Sequence, residues 1–173
     1  MEGERKIRRK RGRFPRHVQV VLALLLSVLL IACSAGGGED TWQGQYDLGV
    51  RYLSEGNYEE AIIAFTAAIE IDSNRPEAYV GRGDAYIGSG ETEENLAAAL
   101  ADYEEAVTLD ETNAAAWLGL ADVYIRQGDY DRAREILQEA LEKTGNDPSI
   151  ADKIAEMETG EITDSSGNVR RMN

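Results

Sequence analysis

A short pattern recurs three times along the chain, and its spacing constrains the fold more than any other sequence feature. Tyrosines occur at positions 52, 86 and 124, and each is followed four residues later by a glycine. Alanines occur further along at positions 61, 99 and 133. The intervals are 34 and then 38 residues for the tyrosines, and 38 and then 34 for the alanines. Self-similarity at a fixed period is the sequence signature of a repeat architecture.

This pattern resembles the tetratricopeptide repeat, a helix–turn–helix unit of about 34 residues. Each unit has small residues on its first helix and, on its second helix, two alanines that flank a bulky residue. The bulky residues are Phe65, Tyr103 and Leu137. The resemblance implies an all-α fold, a right-handed α-solenoid of three repeats. We place these repeats at residues 42–75, 76–113 and 114–147.

The unequal intervals locate an insertion of four residues between Tyr86 and Ala99. Four residues amount to about one helical turn. We therefore predict that the second helix of the middle repeat is longer at its start, with Thr92 as its N-cap. Asn57 and Asp129 are the predicted N-caps of the other two second helices.

A capping helix is predicted over residues 148–159, because a solenoid must cover its exposed apolar end. Pro148 follows Asp147 and suits the first position of a helix. The apolar stripe of this helix consists of Ile150, Ile154 and Met157. The tail over 160–173 is polar with turn-forming residues at its centre, and we expect it to be disordered.

The first 32 residues differ sharply in charge from the rest of the chain. They contain eight basic and two acidic residues, whereas residues 33–173 contain ten basic and thirty acidic residues, a net charge of −20. The basic stretch precedes an apolar run over residues 18–32, which is shorter than the roughly 20 residues of a membrane-spanning helix. A basic head and a short apolar run are typical of a secretory signal peptide, predicted here for residues 1–32.

The sequence Leu30-Ile31-Ala32-Cys33 ends this apolar run and resembles the lipobox of bacterial lipoproteins. The resemblance implies cleavage before Cys33, lipidation of its thiol, and a flexible tether over residues 33–41. It also implies a domain on the extracytoplasmic side of a bacterial cell membrane, held there by the lipid anchor. The alternatives are an ordinary signal peptide, a buried structural cysteine, and an uncleaved signal anchor. The anchor would also place the domain outside the membrane.

The composition argues against several classes of function. The net charge of −14 disfavours a nucleic-acid partner, which needs clustered Lys and Arg. His17 and Cys33 are the only histidine and cysteine. A cleaved and lipidated chain would therefore lack His-based nucleophilic and zinc sites. No glycine-rich phosphate loop or calcium-loop motif occurs in the sequence. We expect no catalytic residues, no metal site, no cofactor and no enzymatic activity.

Tetratricopeptide arrays typically bind an extended peptide or a helix in a concave groove formed by their first helices. The resemblance implies groove-facing positions on all three first helices: Tyr46, Val50 and Leu53; Val80, Asp84 and Ile87; Leu118, Asp122 and Arg126. An apolar floor with two aspartates predicts a partner segment that is partly hydrophobic and carries a Lys or Arg. The alternative is that these acids are ordinary solvated surface of an acidic domain.

The chaperone cofactors of this family bind a C-terminal carboxylate with a clamp of Lys, Asn and Arg. The corresponding positions here lack these residue types; they are Tyr46, Val50, Gly81, Ala115 and Gly119. The carboxylate-binding activity of that subfamily is therefore not expected of this chain.

Three hypotheses of function remain. The first is a membrane-anchored, non-catalytic scaffold that captures an envelope protein or complex through the groove. The second is a structural or spacer lipoprotein that self-associates through its end faces, as a homo-oligomer. The third is an accessory lipoprotein that binds a ligand or Ca²⁺ among its acidic residues. We favour the first, because a three-repeat array offers little other chemistry.

Overall fold

The computed structural model describes residues 40–159, 161–163 and 169–171. The predicted signal peptide, Cys33 and the tether up to residue 39 lie outside the described residues. The helices, in chain order, are α1 Trp42–Glu55, α2 Tyr58–Ile71, α3 Pro76–Ser89, α4 Glu93–Leu109, α5 Ala114–Gln127, α6 Tyr130–Lys143 and α7 Pro148–Thr159. None of the helices in this part of the chain combines the length and apolar content that a membrane span requires.

The helices form an all-α solenoid of three stacked pairs. Each helix packs against the next one in the chain, and α1, α3, α5 and α7 also pack directly on one another in that order. Among the described residues, the second helices α2, α4 and α6 make no such contacts with one another. The first helices therefore form an inner row that the second helices cover from outside. This arrangement confirms the predicted fold class.

A bulky side chain from each second helix joins two neighbouring first helices. Phe65 of α2 is fully buried between α1 and α3. A Cβ atom added to Gly49 would lie 2.7 Å from the Phe65 ring, and one added to Gly81 would lie 2.5 Å from it. Carbon atoms do not approach this closely without a shift, so both first helices need glycine where they contact the ring.

The next two repeats use the same arrangement. Tyr103 of α4 lies between α3 and α5, where Cβ atoms on Gly83 and Gly119 would lie 2.9 and 2.3 Å from its ring. Leu137 of α6 occupies the equivalent position in the third repeat and is fully buried. The third repeat has the buried Ala121 at the position of the first-helix glycine. The repeating small and bulky residues in the sequence therefore correspond to one packing unit.

The helix starts match the predicted N-caps with one exception. Thr92 Oγ1 accepts a hydrogen bond from the Asn95 backbone N–H at 3.1 Å, and Asp129 accepts one from the Arg132 N–H at 3.0 Å. Asn57 occupies the N-cap position of α2, but its side chain makes no capping bond. The predicted side-chain cap was wrong there, because the Asn57 amide instead donates to the Glu55 carboxylate at 3.0 Å.

The four inserted residues of the middle repeat are divided between a helix and a connection. Helix α4 has 17 residues where α2 and α6 each have 14. The predicted longer helix is thus confirmed. The remaining inserted residue lengthens the connection, which spans 90–92 here but 56–57 in the first repeat. Asn95 donates to Ser89 Oγ and to the Gly90 carbonyl oxygen, both at 3.0 Å, and so joins the start of α4 to the end of α3.

Helix α7 covers the C-terminal end of the solenoid, as predicted for a capping helix. Ile150 and Met157 are buried in the main core, and Ile154 is half-buried against it. Asp147 accepts a hydrogen bond from the Ser149 N–H at 2.8 Å and so caps the helix start.

The C-terminal tail differs from the disordered segment that we expected over 160–173. Its described parts are two short strands, β1 Glu161–Thr163 and β2 Val169–Arg171, which pair antiparallel with Ile162 opposite Arg170. Strand β1 also packs against α7. Three of the six strand residues are β-branched, and such residues favour extended backbone. This preference and the contact with α7 account for the correction.

The glycine contacts generate a stability prediction. Gly81→Val should lower the free energy of unfolding by about 1–3 kcal/mol, because the new side chain would overlap the Phe65 ring. Ala97→Val is the matched control, because it also places a β-branched valine in a helix but at an exposed position of α4. Urea denaturation followed by circular dichroism measures both variants. Equal unfolding free energies for the two variants would contradict the packing described here.

Candidate functional site

Two adjacent cavities along the first helices form one groove. The first, cavity A, has a volume of about 260 Å³, and its apolar walls include Val80, Tyr103, Ala115 and Leu118. The second, cavity B, has a volume of about 250 Å³, and its apolar walls include Tyr46, Val50, Leu53 and Phe65. A cavity of about 150 Å³ is large enough to bind benzene. Each cavity therefore has room for an apolar side chain of a partner.

The missing side chains of two glycines keep this groove open. Gly81 lines cavity B and Gly119 lines cavity A, so the buried rings of Phe65 and Tyr103 lie directly beneath the groove floor. At the α1 end, Tyr46 stacks on Trp42 with 4.8 Å between ring centroids. The Arg75 guanidinium lies over the other ring of this stack, 4.2 Å from the Trp42 centroid. The groove wall at this end is therefore held in place by ring contacts.

Asp84 is the acidic group that both cavities share. Its Oδ1 accepts a hydrogen bond of 2.7 Å from the Tyr103 hydroxyl. Asp84 is an exposed residue that lines both cavities, and its hydrogen bond with Tyr103 is partly buried. Partial burial of its carboxyl group raises the pKa of Asp84. The hydrogen bond from Tyr103 lowers this pKa, and the negative charge of Asp122 raises it. The site thus contains a carboxylate whose charge the folded structure disfavours.

Asp122, one repeat further on, has a different environment. Its Oδ2 accepts a 2.7 Å hydrogen bond from Arg126 Nε on the same helix, and both residues are buried. The guanidinium of Arg126 also donates through Nη1 to Glu91, which belongs to the lengthened connection before α4. The charge of Asp122 is therefore compensated within the protein, although this residue lines cavity A.

The structure brings seven of the nine predicted groove residues to the groove. They are Tyr46, Val50, Leu53, Val80, Asp84, Leu118 and Asp122. The other two predicted residues, Ile87 and Arg126, line neither of these two cavities. Ile87 is buried in the main hydrophobic core. Arg126 is buried because it pairs with Asp122 and Glu91.

Several lining residues were not among those predicted from the sequence. Tyr103 and Phe65 were assigned to the core only, although their rings also form part of the groove wall. Lys153 of α7 lines cavity A, and its Nζ donates to Glu156 at 2.8 Å. Lys153 lies 34 residues, one repeat length, after the groove residue Gly119. Applying the repeat spacing to the capping helix would therefore have predicted Lys153 as a groove residue. Glu77 and Asn113, near helix starts, line cavity B.

The chemistry of the groove is that of a binding surface. The five positions that correspond to the carboxylate clamp lie in its walls without a Lys, Asn or Arg; they are Tyr46, Val50, Gly81, Ala115 and Gly119. Within the described ranges, no group of three or more His, Cys, Asp and Glu residues is arranged to hold a metal ion. The walls are mainly apolar, with Asp84 between the two cavities.

The environment of Asp84 generates a prediction with a defined sign. Asp84→Asn should raise the free energy of unfolding at neutral pH, because the folded protein disfavours the ionised carboxylate and the Asn oxygen can still accept the Tyr103 hydroxyl. A raised pKa in the folded state lowers stability above that pKa. The advantage of the variant should therefore disappear as the pH falls below the ordinary aspartate pKa of about 3.9. Urea denaturation across this pH range measures the difference.

Asp122→Asn is the matched comparison, the same change at the equivalent position one repeat later. It should lower the free energy of unfolding at neutral pH by about 1–3 kcal/mol, because it weakens a buried charged hydrogen bond with Arg126. Effects of the same sign for Asp84→Asn and Asp122→Asn would contradict the different roles given to the two aspartates.

Family models support the repeat architecture. A model described as TPR repeat matches residues 49–90, and one described as tetratricopeptide repeat matches residues 92–157. The two ranges together cover more than half of the chain and include parts of all three helix pairs. No curated protein matches the sequence.

Solved structures share this fold over about 70% of the chain. The first TPR of Spaghetti (RPAP3) bound to the HSP90 peptide SRMEEVD is 20% identical, with a TM-score of 0.59 over 70% of this chain and 93% of that one. The Yersinia enterocolitica type III secretion translocator chaperone SycD is 22% identical, with a TM-score of 0.59 over 69% and 88%. The TPR2B domain of yeast Sti1, in a complex with pHsp70, is 23% identical, with a TM-score of 0.61 over 67% and 91%. With these folds and the two model matches, the chain belongs to the tetratricopeptide repeat family.

Proposed function

We propose that this protein is a non-catalytic scaffold that binds a segment of another protein in the groove along α1, α3 and α5. The observation that carries the proposal is the pair of adjacent apolar cavities, each large enough for a side chain and lined by residues from consecutive first helices. An extended segment or a helix can place successive apolar side chains into such neighbouring cavities.

The structural relatives support a protein partner but not a particular one. The RPAP3 structure contains an HSP90 peptide, SRMEEVD, and the Sti1 structure is a complex with pHsp70. The HSP90 peptide is acidic, whereas this groove contains a carboxylate and lacks the Lys, Asn and Arg of the clamp. The proposed partner segment is therefore different in charge from the HSP90 peptide.

The proposal also includes a location, which rests on the sequence. Residues 1–32 have the layout of a signal peptide, and Cys33 stands at the lipobox position. Lipidation at Cys33 would anchor the domain to the extracytoplasmic face of a bacterial cell membrane, since two acyl chains give stable attachment where one does not. The net charge of −20 after residue 32 would keep the domain away from anionic headgroups. The partner would accordingly be an envelope protein or complex.

Cys33→Ser tests the lipid anchor. In a bacterial host the variant should accumulate as an uncleaved precursor without lipid label, because the serine hydroxyl cannot replace the acceptor thiol. Mass spectrometry and labelling with a radioactive fatty acid measure cleavage and lipidation. Cys33→Ala, which also removes the thiol, should behave in the same way. Normal maturation of either variant would refute the lipobox interpretation.

Photocrosslinking in cells tests the scaffold. A photoreactive amino acid placed at Tyr46, Val80 or Leu118 should capture the same envelope protein, identified by mass spectrometry. The same probe at Glu139, which is exposed on the outer helix α6, is the control and should not capture it. Capture of only this protein itself would favour the self-associating spacer. Absence of any groove-specific product would contradict the scaffold proposal.

A further inference from the structure

We infer that Asp84 selects the partner segment, and that the groove binds a Lys or Arg residue flanked on both sides by apolar residues. This inference rests on the proposed function and adds the chemistry of the partner. It predicts an apolar–cation–apolar order along the bound segment.

The order follows from where Asp84 lies between the cavities. Val80, Asp84 and Ala115 line both cavity A and cavity B, so they form the boundary between the two. Beyond this boundary the walls of each cavity are mainly apolar; the polar residues there are Asp122 and Lys153 in cavity A and Glu77 and Asn113 in cavity B. A segment that fills both cavities must therefore cross the Asp84 carboxylate between its two apolar anchors.

The carboxylate has capacity for one more strong partner. Tyr103 donates to Oδ1, and no described residue donates to Oδ2. The hydroxyl also fixes the orientation of the carboxylate, because Tyr103 is itself packed between two glycines. A charged hydrogen bond from an ammonium or guanidinium group to Oδ2 would complete this arrangement.

Asp84 differs in this respect from the buried acids of the same domain. Asp102 is held by Arg82 through two hydrogen bonds of 2.9 and 2.7 Å, and Asp122 is held by Arg126. No cation of the described chain forms an ion pair with Asp84, and the charged group that acts on it is another aspartate. A cationic partner would supply this carboxylate with a counter-ion on binding.

A metal ion fits this position less well than a Lys or Arg side chain. Calcium takes six to eight oxygen ligands, and magnesium needs octahedral geometry. The acidic ligands available in cavity A are Asp84 and Asp122, and the second of these is paired with Arg126. A single ammonium or guanidinium group needs only the one carboxylate.

Fluorescence anisotropy with designed peptides tests the inference on the full-length chain in detergent. The first probe is a short labelled peptide with a central Lys and leucines on both sides. In the second, norleucine replaces Lys, which removes the ammonium group and keeps the methylenes. In the third, serines replace the leucines. The protein variants are Asp84→Asn and Glu104→Gln, a control that removes one exposed charge outside the groove.

The Lys–Leu peptide should bind about tenfold or more tightly than both other peptides. Asp84→Asn should reduce its affinity to that of the norleucine peptide, whereas Glu104→Gln should leave it unchanged. The inference is overturned if Lys and norleucine peptides bind equally, if Asp84→Asn and Glu104→Gln behave alike, or if the Lys–Leu peptide does not bind.

The crosslinking experiment separates this inference from the proposed function. If the groove probes capture a partner whose crosslinked segment contains no Lys or Arg, the inference fails and the scaffold remains. If the groove probes capture nothing, the scaffold itself fails.

Discussion

The architecture depends on the insertion of one bulky side chain from each second helix between two consecutive first helices. Phe65 and Tyr103 do this against pairs of glycines, at distances that leave no room for a Cβ. Leu137 and Ala121 occupy the corresponding positions in the third repeat, where both are fully buried. Because each ring touches its own repeat and the next one, the contact defines both the helix pair and the stacking of pairs. The spacing of these residues in the sequence is thus the spacing of the solenoid.

The groove is a consequence of the same contact. The glycines that admit the rings leave the inner row of helices without side chains at those positions, and two apolar cavities result. The two aspartates on the first helices, Asp84 and Asp122, differ in their hydrogen-bond partners. Arg126 compensates Asp122 with the help of Glu91 from the lengthened connection, whereas Asp84 receives only the neutral hydroxyl of Tyr103. Asp84 is therefore a carboxylate between the two cavities that a cationic partner can bind.

Most of the fold could be predicted from local sequence signals, and the groove only in part. The tyrosine and alanine intervals locate the helix pairs and the insertion, and Thr92 and Asp129 cap helices as their chemistry predicts. The burial of Arg126 could not be predicted in this way, because it depends on Glu91, 35 residues away in the sequence. Ile87 is buried in the main hydrophobic core, which its own helical pattern does not show. The strand pairing at the C-terminus likewise depends on contacts between separate segments.

Hydrogen–deuterium exchange of the full-length chain, with and without its captured partner segment, tests the central claim most directly. If a protein segment binds along the inner row, exchange should slow in peptides from α1, α3 and α5 and remain unchanged on the outer helices α2, α4 and α6. Slower exchange confined to the outer helices, or to α7 and the strands that follow it, would contradict a groove-binding scaffold.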